Sequence, residues 1–180
     1  MLGNYPTEII EKAEKIKVLI LDVDGVLTDG SLIYTSRGEE IKKFNVNDGL
    51  GVLLVRRAGI RTVLLTAKAS PMVRKRAKDL RVDRVFQNFH DKGAALKKIL
   101  RKFRAGPEEI CFVGDDVIDI PVLKRVGLAV APPGAMEEAR KTAHLITDKP
   151  GGAGAVREVC ELILRAQGKW IKAIERYKNG

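Results

Sequence analysis

The stretch Lys17-Val18-Leu19-Ile20-Leu21-Asp22-Val23-Asp24-Gly25-Val26-Leu27-Thr28-Asp29 decides how the chain is read. An aliphatic run ends abruptly in two carboxylates spaced by one residue. Runs that are apolar at every position belong to strands buried on both faces, as in parallel sheets covered by helices. Side chains alternate along a strand, so residues i and i+2 share a face. If strand geometry continues to Asp24, both acids leave the carboxyl end of the strand in one direction. Open α/β sheets bind ligands at that end. Two acids held so close require a cation or a shared proton to offset their repulsion. The expected cation is Mg²⁺, a hard ion that takes oxygen ligands and commonly works with phosphate. A plain Asp-Gly turn is the competing explanation, and the rest of the chain weighs against it.

Working outward, further apolar strands are expected at 61–65, 83–86, 110–113, 126–130 and 144–146. Helices are expected at 6–15, 49–58, 70–80, 92–104, 118–125, 135–142, 154–166 and 168–177. Strand and helix alternate after residue 48, the pattern of an α/β fold with a doubly wound parallel sheet. Segment 30–47 breaks the alternation. Ser31-Leu32-Ile33-Tyr34-Thr35 and Glu40-Ile41-Lys42-Lys43-Phe44-Asn45 flank Ser36-Arg37-Gly38-Glu39 and read as a β-hairpin inserted after the first strand. A lone hairpin is marginal in water. Leu32, Ile33, Tyr34, Ile41 and Phe44 therefore need cover, from their own domain or from another subunit.

The 180 residues suit one domain, with 150–180 as a C-terminal tail. Hydrophobic residues make up 45%, so the chain is globular, and no apolar run is long enough to span a bilayer. The start, Met-Leu-Gly-Asn-Tyr-Pro-Thr-Glu, lacks the basic and apolar regions of a signal peptide, so a cytoplasmic protein without membrane attachment is expected. Cys111 and Cys160 read as buried free thiols without chemistry. The net charge of +10 raises nucleic acid as a partner, but aromatic residues are only 5% and no stacking platform accompanies the basic clusters. A positive field that draws in a small anionic substrate explains the charge equally well, and no nucleic-acid partner is expected.

Further features fall at strand ends or helix starts. Val63-Leu64-Leu65-Thr66-Ala67-Lys68 is a buried strand ending in a hydroxyl and a cation. Lys92 opens a helix. Ile110-Cys111-Phe112-Val113-Gly114-Asp115-Asp116 ends in paired acids, with Asp119 one turn on, and Asp48-Gly49 begins the helix after the hairpin. Each has a bland explanation. Thr66 could cap or turn, Lys92 could be a surface lysine, and Asp115-Asp116 could cap the next helix. The order acid-x-acid, Thr, Lys, Gly-Asp-Asp is harder to obtain by chance.

That order resembles the haloacid dehalogenase-like phosphatase superfamily, over about Val18 to Asp119. Asp22 to Gly30, Asn47-Asp48-Gly49, Gly114 to Asp119 and the glycine-rich Gly151-Gly152-Ala153-Gly154-Ala155-Val156-Arg157-Glu158-Val159 are similar to the 3-deoxy-D-manno-octulosonate 8-phosphate phosphatases. The resemblance implies a phosphoric monoester hydrolase of lipopolysaccharide precursor synthesis, acting on a phosphorylated sugar acid. It implies Asp22 as nucleophile and Asp24 as general acid–base. It implies Mg²⁺ on the Asp22 and Asp115 carboxylates and the Asp24 carbonyl, with Asp116 and Asp119 orienting the metal site. Thr66 and the Ala67 amide would hold phosphate oxygens, and Lys92 would offset charge on the phosphoryl group and Asp22. Lys68, with Asn47, Asp48 and Gly49, would contact substrate. The group commonly has Thr-Gly-Arg where this chain has Thr66-Ala67-Lys68, which replaces a bidentate fork by a point charge. Phosphatases of nine-carbon sugar-acid 9-phosphates share the fold and most motifs, and are the alternative.

Neither the interval from Asp29 to Thr66 nor that from Lys92 to Asp115 has room for a cap domain. The resemblance implies a homotetramer whose hairpins join in a central barrel and whose subunits close one another's sites. Trp170, Ile171, Ile174 and Tyr177 form a helical stripe that could serve a neighbour or pack on its own domain. A signalling receiver domain also gathers acids, a Thr and a Lys on a parallel sheet. Its phospho-acceptor sits on a later strand, so the Asp22-x-Asp24 pair argues against it.

Overall fold

A computed structural model describes residues 2–178. Six strands form one parallel sheet in the order β5-β4-β1-β6-β7-β8. They are β1 (Val18–Leu21), β4 (Arg61–Leu65), β5 (Arg84–Phe86), β6 (Ile110–Val113), β7 (Leu128–Ala131) and β8 (Leu145–Ile146). The remaining strands, β2 (Ile33–Tyr34) and β3 (Glu40–Ile41), pair antiparallel as a separate hairpin. The helices are α1 (Thr7–Glu14), α2 (Val46–Arg57), α3 (Pro71–Asp79), α4 (Lys92–Phe103), α5 (Ile120–Leu123), α6 (Glu137–Thr142), α7 (Ala155–Ala166) and α8 (Trp170–Glu175). None of the described helices is long and apolar enough to cross a membrane.

The period of two in β1 divides the core. Leu19 and Leu21 pack with Val52 and Leu54 of α2, Ile9 and Ala13 of α1, Val73 of α3 and Val159 and Ile163 of α7. Val18 and Ile20 face the opposite layer, with Leu96 and Ile99 of α4, Val122 and Leu123 of α5 and Ala139 of α6. An all-apolar strand is what such a three-layer arrangement requires, because neither face meets water. From β1 the chain winds outward through β4 and β5, then returns to β6 and winds the other way. The strand order therefore switches direction beside β1, the place where open α/β sheets bind ligands.

Expected and observed elements agree to within a few residues, with three instructive differences. Helix α2 starts at Val46 rather than 49, because the Asn45 side chain accepts from the Asn47 and Asp48 amides and caps it there. The helix expected at 118–125 is a 3₁₀ turn, Val117–Asp119, followed by the short α5. The hairpin strands are two residues each, so the insertion holds few ladder bonds of its own. Its exposed large hydrophobic residues are Leu32, Ile33, Tyr34 and Ile41. Phe44, expected among them, instead packs on the core beneath the Arg76 guanidinium, 5.4 Å from its ring centre.

The tail folds back on its own domain. Trp170 and Ile174 pack against the core, with the Arg165 guanidinium 4.5 Å from the centre of the indole, while Ile171 and Tyr177 stay exposed. The glycine-rich segment lies against the loop after β1, where Gly152 N–H donates to the Val26 carbonyl at 2.9 Å. Gly152 has φ +65°, and a Cβ there would strike the Thr28–Asp29 backbone, so the close approach needs glycine.

Candidate active site

Parallel register brings three strand ends level. Leu21 of β1 is opposite Leu64 of β4 and Val113 of β6. The residues that follow, Asp22, Thr66 and Gly114-Asp115, therefore meet at one edge of the sheet. With Asp24, Gly25, Ala67, Lys68, Lys92, Asp116 and the hairpin's Leu32 they line a cleft of about 270 Å³. Strand geometry stops at Leu21, before either acid, and does not continue to Asp24. Asp22 and Asp24 nonetheless both line the cleft, while Val23 between them is fully buried in the core. Asp24 to Leu27 do form a turn, but it buries Val26 and Leu27 and leaves the Asp24 side chain on the cleft.

Lys92 is the pivot. It is the first residue of α4, capped by Asp91, and it is 1% exposed rather than on the surface. Its Nζ lies 2.8 Å from Asp22 Oδ2 and 2.5 Å from Asp119 Oδ1. Burial works to lower the Lys92 amine, but the two carboxylates outweigh it and raise it, so the group is a fixed ammonium. The other oxygen of Asp119 accepts from the Asp115 and Asp116 amides, at 2.9 and 3.2 Å. Asp119 thus aims both Lys92 and the Asp115 loop. A Cβ at Gly114 would stand 2.7 Å from the Asp119 carboxyl carbon, so only glycine lets this turn close.

Burial and the charge of Asp119 push the Asp22 carboxyl up to about 8, against the pull of Lys92. The same two causes push Asp115 up to about 7. Carboxyls this resistant to ionisation mark a cluster short of positive charge. Oxygens of Asp22, Asp115 and Asp119 lie within 4.8 Å of one another, close enough to share a hard divalent cation. Both Asp119 oxygens are already engaged by Lys92 and by backbone amides. Asp22 is held as well, by Lys92 on Oδ2 and the Val23 amide on Oδ1, so a cation would share its lone pairs there, while the Asp115 carboxylate accepts no hydrogen bond among the described residues. Gly25, at φ +81°, has no Cβ to overlap the Asp115 carboxylate, which lets the β1 loop approach it. The donor set fits Mg²⁺.

Thr66 is buried, and its hydroxyl accepts from the Lys68 amide at 3.3 Å, leaving its proton for an acceptor in the cleft. Lys68 is exposed at the rim. Asp116 is exposed and accepts from the Val117 amide at 2.6 Å, so it caps the 3₁₀ turn while it lines the cleft.

Asn47, Asp48 and Gly49, expected to contact substrate, do not line this cleft. Asp48 is 1% exposed and accepts from the Gly154 and Arg157 amides, at 3.2 and 2.8 Å. It holds the start of α7 and the glycine-rich segment, a structural task. Gly49 is buried against Leu80 and Arg76, whose guanidinium donates to the Asn45 carbonyl at 2.8 Å.

One residue escaped the sequence reading. Lys42, on the hairpin, has a side chain only 1% exposed, with Nζ 2.5 Å from Asp24 Oδ1 and 3.2 Å from Glu40 Oε1. Burial works to lower its amine, and the two acids outweigh it and hold it above its ordinary value. The signal was available: Glu40 and Lys42 are two apart, so a strand puts them on one face, as it does Asp22 and Asp24.

Residues 50–127 match the model of the haloacid dehalogenase-like hydrolases. The chain is 42% identical over 171 residues to the Escherichia coli K12 3-deoxy-D-manno-octulosonate 8-phosphate phosphatase KdsC, covering 95% of this chain and 91% of that protein. A crystal structure of that phosphatase from Moraxella catarrhalis, in complex with magnesium ion, phosphate ion and a KDO molecule, superposes with a TM-score of 0.93 at 39% identity, over 96% of this chain and 99% of that one. The cobalt-bound form of the Haemophilus influenzae enzyme superposes with a TM-score of 0.85 at 36% identity, over 89% and 94%.

Proposed function

Because the chain belongs to the haloacid dehalogenase-like hydrolases, within the 3-deoxy-D-manno-octulosonate 8-phosphate phosphatase family of phosphoric monoester hydrolases, we propose that it hydrolyses 3-deoxy-D-manno-octulosonate 8-phosphate with Mg²⁺. The observation that carries this reading is the buried array Asp119–Lys92–Asp22, with Asp115 beside it, at the ends of β1 and β6. The product would feed lipopolysaccharide precursor synthesis.

Asp22 attacks phosphorus. Lys92 holds its Oδ2 and the Val23 amide holds its Oδ1 at 2.7 Å, so the carboxylate is oriented before substrate arrives. As the Asp22–phosphorus bond forms, the bond to the sugar oxygen breaks, and Asp24 gives that oxygen its proton. In the second step Asp24 takes a proton from the water that attacks the aspartyl-phosphate, and phosphate and the free sugar acid leave. Thr66 and the Ala67 amide hold phosphoryl oxygens, and Lys92 offsets the negative charge gathered there. Mg²⁺, held by Asp22, Asp115 and the Asp24 carbonyl, would neutralise the acid cluster against an anionic substrate. Asp119 and Asp116 keep Lys92 and Asp115 in place.

The hairpin lines the cleft through Leu32, and phosphoryl transfer gains from excluding bulk water. The exposed Leu32, Ile33, Tyr34 and Ile41 supply an apolar surface that a neighbouring subunit would cover, which supports a homotetramer closing its own sites. Phosphate release from the eight-carbon 8-phosphate, with Mg²⁺ and with chelator, tests the reading. A higher kcat/KM for a nine-carbon 9-phosphate would move the substrate assignment and leave the chemistry. Release that is unaffected by chelator would remove the metal.

A further inference from the structure

We propose that Lys42, steadied by Glu40, is a positioning residue that fixes the Asp24 carboxyl for proton transfer. The inference rests on Asp24 being the general acid–base.

Asp24 lies in the loop after β1, where no strand ladder restrains it. Its side chain is 28% exposed and would be free to turn. Lys42 reaches it from the hairpin and engages Oδ1 at 2.5 Å, which leaves Oδ2 to exchange the proton. The next residue shows how selective the burial is. Lys43 keeps its side chain 75% exposed, whereas that of Lys42 is 1% exposed. A lysine loses much rotamer freedom when it is buried, so an opposing interaction must outweigh the loss.

The hairpin alone could not hold Lys42, since its strands are two residues long. A chain of contacts does. Glu40 Oε1 lies 3.2 Å from the Lys42 Nζ, and Glu40 Oε2 accepts from Ser70 Oγ at 2.7 Å. Ser70 is itself buried and caps α3 by accepting from the Met72 amide at 3.2 Å. The network thus runs from the helix after the Thr66 loop, through the hairpin, to Asp24. It ties two walls of the cleft to the group that moves the proton. As the phosphorus–oxygen bond breaks, its electron pair goes to the sugar oxygen, which receives the Asp24 proton. The Lys42 ammonium then faces the carboxylate that is left.

Leaving-group dependence separates this role from a structural one. An alkyl leaving group needs a proton to depart, while p-nitrophenolate does not. Lys42→Met should lower kcat/KM for the sugar-acid 8-phosphate by about 10- to 100-fold, up to the lower end of the roughly 10²- to 10⁴-fold ascribed to general acid catalysis because the acid itself remains, and for p-nitrophenyl phosphate by about threefold or less. Equal losses on both esters, or no loss on either, would overturn the inference. Should Lys42→Met fail to fold, Glu40→Gln decides by the same comparison, with a smaller loss confined to the alkyl ester expected. Asp24→Asn is the control. If it fails to discriminate between the esters, the acid–base assignment falls and the inference with it. If Asp24→Asn discriminates and the Lys42 and Glu40 variants do not, the positioning role alone is wrong.

Discussion

At the floor of the cleft, Lys92, Asp119 and Asp22 are 1%, 0% and 5% exposed and hold one another at hydrogen-bond distance. On the hairpin that reaches its rim through Leu32, residues Ile33, Tyr34 and Ile41 are 44%, 61% and 47% exposed on strands two residues long. The floor is fixed by the register of a buried parallel sheet and by a dense charge network. Its geometry is set before any ligand arrives. The rim has little internal support and leans on a few polar contacts and on whatever covers it. Chemistry that tolerates little displacement sits on the first; closure, which needs an opening for substrate, falls to the second.

Breaking the floor should have the largest effects. Asp22→Asn should lower kcat by about a thousandfold or more while the protein stays folded, since an amide cannot replace the nucleophile and the buried site is relieved of a charge. Lys92→Met should come next. It leaves Asp22 and Asp119 buried without their cation, so about 3–5 kcal/mol of stability should be lost in chemical denaturation, together with most activity.

Breaking the rim should leave the fold and change the assembly. Ile33→Glu combined with Ile41→Glu places like charges on facing positions of the hairpin. Light scattering should report four subunits for the unaltered protein and fewer for the variant, with kcat/KM for the sugar-acid phosphate down by about tenfold as the cleft opens to water. A fully active monomer would show that the rim is not a shared lid.

Cation binding sharpens the contrast, because it acts on the floor alone. Asp22 and Asp115 titrate near 8 and 7 in the fold, against 3.8 ordinarily, so the metal-free native state keeps protons that the unfolded chain releases above about pH 4. Metal-free stability should therefore fall as pH rises from 5 to 8. Mg²⁺ at about a hundred times its Kd adds about 2.7 kcal/mol, or roughly 5–10 °C in Tm. The gain should be larger at pH 8 than at pH 5, where the cation competes with protons. The smallest effect belongs to Lys68→Ala. Lys68 is exposed, and solvent screening limits such a contact to about 1 kcal/mol. The sugar-acid phosphate should lose no more than about fivefold relative to p-nitrophenyl phosphate.

The floor was legible because each of its parts is local. An apolar run ending in Asp22-x-Asp24, a second ending in Thr66, and a third ending in Gly114-Asp115 each announce a buried strand and what stands at its end. The burial of Lys92 was not legible, since a lysine opening a helix looks the same whether it faces water or two acids. Asp48 misled for the same reason. Its place after the hairpin suggested the cleft, but the Asn45 cap starts α2 early and turns Asp48 toward α7, more than a hundred residues away in sequence. Lys42 required knowing how the hairpin folds back on the β1 loop, and Phe44 required knowing that Arg76 covers it. Long-range pairings of this kind carry no period in the sequence.

The central claim is that the buried floor transfers the phosphoryl group through Asp22, and the most direct test is to trap that group. Asp24→Asn given p-nitrophenyl phosphate and Mg²⁺ should form the intermediate, since this leaving group needs no proton, and should hydrolyse it slowly for want of a base. Acid quenching, digestion and mass spectrometry should then find one phosphoryl group on the peptide that carries Asp22. None should appear in the Asp22→Asn, Asp24→Asn double variant. A phosphoryl group on another residue, or phosphate release by the double variant at the rate of Asp24→Asn alone, would contradict the account.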